Sequence, residues 1–372
     1  MSVGAGKAWR GLQLREELRM DRKQYIDKTL GYLKDHLEHF PDARAQDIVK
    51  FVFQGLLGTG HILGASEDVE AYIFRESANL TADPGEPLLE RVSPSWCRLN
   101  LRRALAEGLT PRNIAQLMLT ERTQDGFSRQ DVERVCRAYG EEHHLSGMPE
   151  ILGQLADEHW LPSHSEEYRA LYHPAYRLIS ARWEPLLPAV CAVVRKAGAG
   201  QRVLITLDGP CASGKTTLAG KLGAVLDAAV LHTDDFVVPH AKKTPARLAQ
   251  PGGNCDWERL VSEVIAPWKA GQTGTYRRYD CHLDCLTSPE PLPAGNILIL
   301  EGSYSNLPAI RAYADVRVFA ATPETIRWER LKDRESPASL KMFWTRWIPL
   351  ENAYFEAYGL PDEGMILTDG YH

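Results

Sequence analysis

No apolar run in this sequence approaches the length needed to span a membrane. The first residues, Met1 to Lys7, lack the apolar core of a secretion signal. The expectation from both absences is a cytoplasmic protein. Basic residues are not in excess: 43 Lys and Arg stand against 49 Asp and Glu, a net charge of −6, which argues against a broad nucleic-acid-binding face. The seven cysteines are odd in number and scattered, as reduced thiols are. Only Cys281-His282-Leu283-Asp284-Cys285 gathers metal-ligand types, and no second pair stands at zinc spacing from it. Internal repeats and low-complexity tracts are lacking too. What is there is a chain of 372 residues, 44% hydrophobic and 25% charged, enough for two domains with ordinary cores. Homo-oligomerisation is left open.

The stretch Gly209-Pro210-Cys211-Ala212-Ser213-Gly214-Lys215-Thr216-Thr217 lies between the apolar run Val203–Leu207 and a helix-like segment, Leu218–Leu222. Strand, glycine loop, helix is the context of a Walker A phosphate loop. Glycines permit the tight turn that aims backbone N–H groups at phosphate oxygens. The helix that follows adds the partial positive charge of its N-terminus. Lys215 can then reach β- and γ-phosphates, and the Thr216 hydroxyl can take one Mg²⁺ position. The pattern predicts a nucleotide site over Gly209–Thr217.

Before that loop the chain reads as almost entirely helical, from residue 12 to about 180. Leu12 to His39 is rich in Leu, Glu, Lys and Arg, and Pro41 closes it. Asp47–Leu57 carries apolar residues at helical spacing and stops at Gly58 and Gly60. Ser66 can cap a helix through Ile73. Thr110-Pro111, Ser128 with Asp131, and Ser163 with Glu166 open three more. Gly58-Thr59-Gly60-His61 reads as a helix-ending turn or one wall of a cleft, and Arg98–Arg103 as a solvated helix face or a binding patch. Arg177 to Lys196 looks like a connecting helix, ended by Gly198-Ala199-Gly200. The expected division is an all-α domain over 1–176 and an α/β domain over 177–372, entered through a connecting helix at 177–198.

Beyond Gly200 the pattern changes. Short apolar runs at Val203–Leu207, Ala229–His232, Ile297–Leu300, Val316–Phe319 and Met365–Leu367 alternate with helical stretches, which predicts a parallel sheet with helices on both faces. Ligands in such sheets lie beyond the carboxyl ends of the strands. The second run ends in His232-Thr233-Asp234-Asp235-Phe236. Phosphoryl transfer needs a carboxylate that orients the acceptor hydroxyl and takes its proton, and either aspartate qualifies. The third run ends in Glu301-Gly302. A carboxylate there suits the Walker B role on Mg²⁺, and Gly302 would let the backbone pass close to phosphates. Arg330 and Arg334, four apart on one helix face, can stabilise the charge of a transferring phosphoryl group.

These motifs resemble, in the same order, those of the uridine kinase/phosphoribulokinase family of P-loop kinases. The resemblance rests on Gly209–Thr217, Thr233–Phe236, Tyr279-Asp280, Glu301-Gly302, the Arg330/Arg334 helix and the late segment Trp347–Phe355, and it covers about residues 200–372. It implies an α/β P-loop kinase domain that uses ATP and Mg²⁺ to phosphorylate a hydroxyl on a small molecule. It makes Asp234 the base, Lys215 the phosphate clamp and Thr216 and Glu301 the metal partners. Arg330 and Arg334 become the lid cations, and Asp235, Arg277, Tyr279 and His282 the substrate contacts. His282 stands earlier than the family's histidine, and Asp284 lies nearer its place. The first acceptor implied is a nucleoside such as uridine; a sugar or a pantothenate-like acid is the alternative. A different alternative is an ATP-switched module whose helical domain grips a protein or RNA.

Overall fold

Three stretches of the first half, Leu89–Arg91 (β1), Trp96–Asn100 (β2) and Tyr176–Ser180 (β3), pair antiparallel in the order β1-β2-β3. The expected all-α domain is therefore corrected: helices dominate it, but a three-stranded sheet runs through it. The computed structural model describes residues 20–58, 66–120, 126–281 and 283–368. By its contacts the chain divides into two units, 20–184 and 185–368. The segment 177–198 is not one helix. Its start belongs to β3, and the helix proper is Leu187–Gly198. The turn at Thr59-Gly60-His61 lies outside the described residues.

In the first unit the helices arise where the caps predict them. Thr110 caps Pro111–Leu119 and Ser128 caps Arg129–Glu142, each by accepting the backbone N–H three residues on. The cap before Tyr168 is Ser165, not Ser163. Arg98 is not on a solvated helix face. It lies buried in β2, donating to Gln54 Oε1 at 2.8 and 3.0 Å and to Glu90 Oε2 at 3.2 Å, with the rings of Phe51 and Tyr176 against its guanidinium. Ile48, Phe51, Val52, Leu56, Trp96 and Val132 belong to the core of this unit.

Asp47 ties this unit together. It is buried in the first turn of the helix Ala45–Leu57 and accepts from Arg44 N (2.9 Å), Ser165 N (3.0 Å), Ser165 Oγ (2.7 Å) and His164 Nδ1 (2.8 Å). Burial alone would raise its carboxyl, yet these hydrogen bonds outweigh it and hold the group at about 2. Burial drives His164 down to about 4, so its imidazole is neutral at pH 7. Its Nδ1–H therefore donates to Asp47, and its Nε2 accepts from the Tyr176 hydroxyl at 2.6 Å.

The second unit is built on a five-stranded, wholly parallel sheet of Val203–Asp208 (β4), Ala229–His232 (β5), Ile297–Glu301 (β6), Val316–Ala320 (β7) and Ile366–Thr368 (β8), in the order β8-β7-β4-β6-β5. All six residues of β4 and all five of β6 are buried, as happens only where both faces of a sheet are covered. Leu204, Leu298, Leu300 and Phe319 pack with Trp268, Tyr354 and Phe355. The helices Leu187–Gly198 and Lys215–Leu226 also lie against β4. Among the described residues no helix is long and apolar enough to cross a membrane, and no group of three His, Cys, Asp or Glu side chains could hold a metal ion. Cys281 and Cys285 are exposed and free.

Asp47→Ala should orphan several buried donors at about 1–3 kcal/mol each. Hydrogen exchange on the full chain should then show amides of residues 20–184 losing about 2–4 kcal/mol of protection. Unchanged protection there would remove Asp47 from its structural role. Because its pKa is depressed, its contribution is complete above the usual carboxylate pKa near 4 and fades as pH falls towards about 2.

Candidate active site

The site follows from strand register. β6 lies between β4 and β5, with Glu301 opposite Leu207 on one side and His232 on the other. The ends of three strands therefore share one edge of the sheet. Gly209 begins there after β4, Asp234 follows β5, and Glu301 closes β6.

The phosphate loop is held by side chains from far along the chain. Lys215 Nζ turns back to the carbonyls of Gly209 (2.8 Å) and Pro210 (2.9 Å). Arg330 donates to Ala212 O at 2.9 Å, and Thr322 Oγ1 to Ser213 O at 2.8 Å. The Cys211 N–H donates to Glu351 Oε2 at 2.9 Å, while Ser303 Oγ donates to Glu351 Oε1 at 2.6 Å. Gly209 has φ +144°, and a Cβ on it would meet Ala320 O at 2.6 Å, so no larger residue fits. Behind the loop, Asp208 accepts from Gly209 N (2.7 Å), Asn306 N (3.0 Å) and the Tyr354 hydroxyl (2.7 Å). Burial pushes its carboxyl up to about 6, and the Tyr354 bond is the strongest pull the other way.

Thr216 Oγ1 donates to Glu301 Oε1 at 3.0 Å, which sets two hard oxygen donors side by side. His232 Nδ1 meets the same carboxylate oxygen at 2.5 Å, and this hydrogen bond raises the imidazole above its usual range. Gly302, at φ +129°, has a different reason from the one expected. A Cβ there would lie 2.0 Å from Thr233 Oγ1, so the close approach is to Thr233, the residue before Asp234.

A cavity of about 1140 Å³ opens on this edge. Residues 211–217, Asp234, Glu301, Arg330 and Arg334 all line it. Asp234 is exposed to the solvent of the cavity, yet the surrounding walls partly desolvate the carboxyl and raise it above the usual range. Lys215 opposes that shift, and the charges of Glu301 and Glu351 add to it. Ser213 Oγ is buried on the same wall without a hydrogen-bond partner among the described residues.

Not every expected residue arrives. Gly209 and Pro210 stand behind the lining and act through their carbonyls. Asp235, Arg277 and Tyr279, expected as substrate contacts, are not among the residues lining the cavity. Arg277 donates to the carbonyls of Leu286 and Thr287. Tyr279 is buried with its hydroxyl on Asp284. His282 lies outside the described residues. Sequence reasoning missed Glu351, His232 and Asp208. The signal for Glu351 was a charge in helical phase with apolar Tyr354, Phe355 and Tyr358; for Asp208 it was a carboxylate closing a strand that is apolar except for Thr206.

No family model matches the chain, and no curated protein does. Among solved structures, a possible uridine kinase from Bacillus stearothermophilus aligns over 50% of this chain and 99% of its own, at 21% identity and TM-score 0.37. A candidate fructose transport system kinase from Silicibacter sp. TM1040 aligns over 46% of this chain and 94% of its own, at 24% identity and TM-score 0.37. Likeness at this level carries no weight for function, which must stand on the site itself.

His232 supplies a pH test. Its folded pKa is raised, so the contact with Glu301 stabilises fully below the unfolded value near 6.5 and is lost as pH rises through the folded value. Melting temperature should therefore fall as pH rises above about 6.5. His232→Gln should flatten that part of the curve; an identical slope in both proteins would mean the contact does not titrate there.

Proposed function

We propose that residues 185–368 form an ATP- and Mg²⁺-dependent kinase that phosphorylates a hydroxyl of a small molecule. The observation that carries this reading is the convergence, on one cavity, of the phosphate loop, the Thr216–Glu301 oxygen pair and Asp234. Nucleosides, sugars and pantothenate-like acids all present such a hydroxyl.

The residues fit both groups the reaction needs. Thr216 Oγ1 and Glu301 would hold Mg²⁺, whose small shell is otherwise filled by phosphate oxygens and water. When bound, the ion neutralises charge on the β- and γ-phosphates. Ser213 Oγ, buried and unpartnered, offers a donor where the loop would meet phosphate. Lys215 has three N–H donors and spends two on loop carbonyls, so the third is free to turn to a phosphate oxygen.

Asp234 accepts the proton of the acceptor hydroxyl as the acceptor oxygen bonds to the γ-phosphorus. The bond from that phosphorus to the β–γ bridging oxygen breaks, and its electron pair leaves with ADP. A carboxylate raised above its usual range is a stronger base than a free one. Arg330 and Arg334 spread charge away from the transferring group. Lys215 and the loop N–H groups hold the leaving phosphate.

A metabolite panel with ATP consumption as readout, followed by mass spectrometry of the product, tests the reading. Asp234→Asn should lower kcat about 10²–10⁴-fold with little change in the KM for ATP, and Asp235→Asn should do less. Lys215→Ala should cost about 2–4 kcal/mol of transition-state stabilisation. Normal turnover by Asp234→Asn, or a dead Asp235→Asn alone, would overturn the assignment of the base.

A further inference from the structure

Five lysines and arginines line the cavity against three carboxylates. Three of the cations already have work in the loop or beside it. Lys215 is on the carbonyls of Gly209 and Pro210, Arg330 on that of Ala212, and Arg334 on Glu335 at 2.7 Å. The other two, Lys243 and Arg346, are different. Both side chains are half-buried in the cavity wall, and among the described residues neither makes an ion pair or a side-chain hydrogen bond. Among the described residues, Arg346 meets the face of Trp347, at 4.9 Å.

Partly desolvated cations without a counter-charge are costly, and two within reach of each other more so. Burial lowers the Lys243 ammonium below its usual range; Cys281 and, more weakly, Asp284 pull it back, while the charge of Arg346 adds to the lowering, and neither Cys281 nor Asp284 forms an ion pair with it. An anion between them would offset both penalties, and a guanidinium with an ammonium suits phosphate or carboxylate. The nucleotide does not need these two, since the loop N–H groups, Lys215 and Arg330 stand on its side. Lys243 is carried instead by the segment that leaves Asp234, and Arg346 by the turn that leads into the helix Ile348–Tyr358.

We propose that the acceptor is itself an anion: a small alcohol bearing a phosphate or carboxylate, gripped by Lys243 and Arg346 while Asp234 holds its hydroxyl. This rests on the kinase reading above and narrows it. A neutral nucleoside would leave both cations uncompensated, so uridine is not the acceptor the cavity is charged for.

The test uses the full chain saturated with Mg²⁺ and a non-hydrolysable ATP analogue. Glycerol, glycerate and glycerol 3-phosphate, one skeleton with no anion, a carboxylate or a phosphate, are titrated by calorimetry. At least one anionic probe should bind about tenfold or more tighter than glycerol, and Lys243→Gln and Arg346→Gln should each remove about tenfold of that affinity. Affinity for the analogue should stay within about twofold. The stronger of the two anionic probes identifies phosphate or carboxylate as the recognised group. The proposal is overturned if the three probes bind alike, if neither substitution weakens the anionic probe, or if the substitutions weaken the analogue instead. Failure of the kinase reading looks different: the wild-type chain would not bind the analogue, or Lys215→Ala would bind it unchanged.

Discussion

Glu301 stands between Leu207 and His232 because β6 runs parallel between β4 and β5, and the rest of the catalytic edge depends on that register. Parallel pairing points all carboxyl ends one way, so the loop after β4, the aspartate after β5 and the glutamate closing β6 meet without any long side chain reaching for another. A slip of one residue would turn Glu301 to the opposite face. The register is fixed by wholly buried strands whose side chains must fill cores on both faces. Precision at the site is thus inherited from packing well away from it.

This explains what the sequence disclosed and what it hid. The strands of the sheet are mostly apolar runs, and β5 and β6 end in polar residues, so the strands and the residues at those ends could be read directly, but not the order in which the strands pair. Glu351, His232 and Asp208 act through hydrogen bonds to segments far off in the chain, and no local pattern announces such a partner. The early half was misread for a sharper reason. Asn100 is at once the last residue of β2 and the cap of the helix Leu101–Ala106, accepting from Arg103 N. Strand and helix therefore adjoin without a turn, and Arg98–Arg103 looks like one basic helix. Arg98 compounds this, since a charge in a short apolar strand resembles a solvated position until its partners are seen. Arg277 and Tyr279 spend polar groups on their own neighbourhood, on the carbonyls of Leu286 and Thr287 and on Asp284, which no local pattern discloses.

Both units bury charge, with different consequences. In the first, Asp47 and Arg98 are each satisfied by several partners, so the network is closed and specifies one packing. In the second, some unmet groups lie on the cavity: among the described residues Ser213 Oγ has no hydrogen-bond partner, and Lys243 and Arg346 make no ion pair. Folding tolerates such groups at a cost, and a ligand in the cavity would relieve these.

The hydrogen bond from Cys211 to Glu351 also bears on how the protein is made. The two residues are 140 apart in sequence. On the ribosome, a nascent chain that has completed the phosphate loop still lacks the carboxylate that fixes it, and lacks β6 and β7, which flank β4. The loop is among the first parts of its unit to be synthesised and among the last that can take its final shape. A chain stalled before residue 351 carries every glycine of the nucleotide motif but lacks the carboxylate that holds the Cys211 N–H.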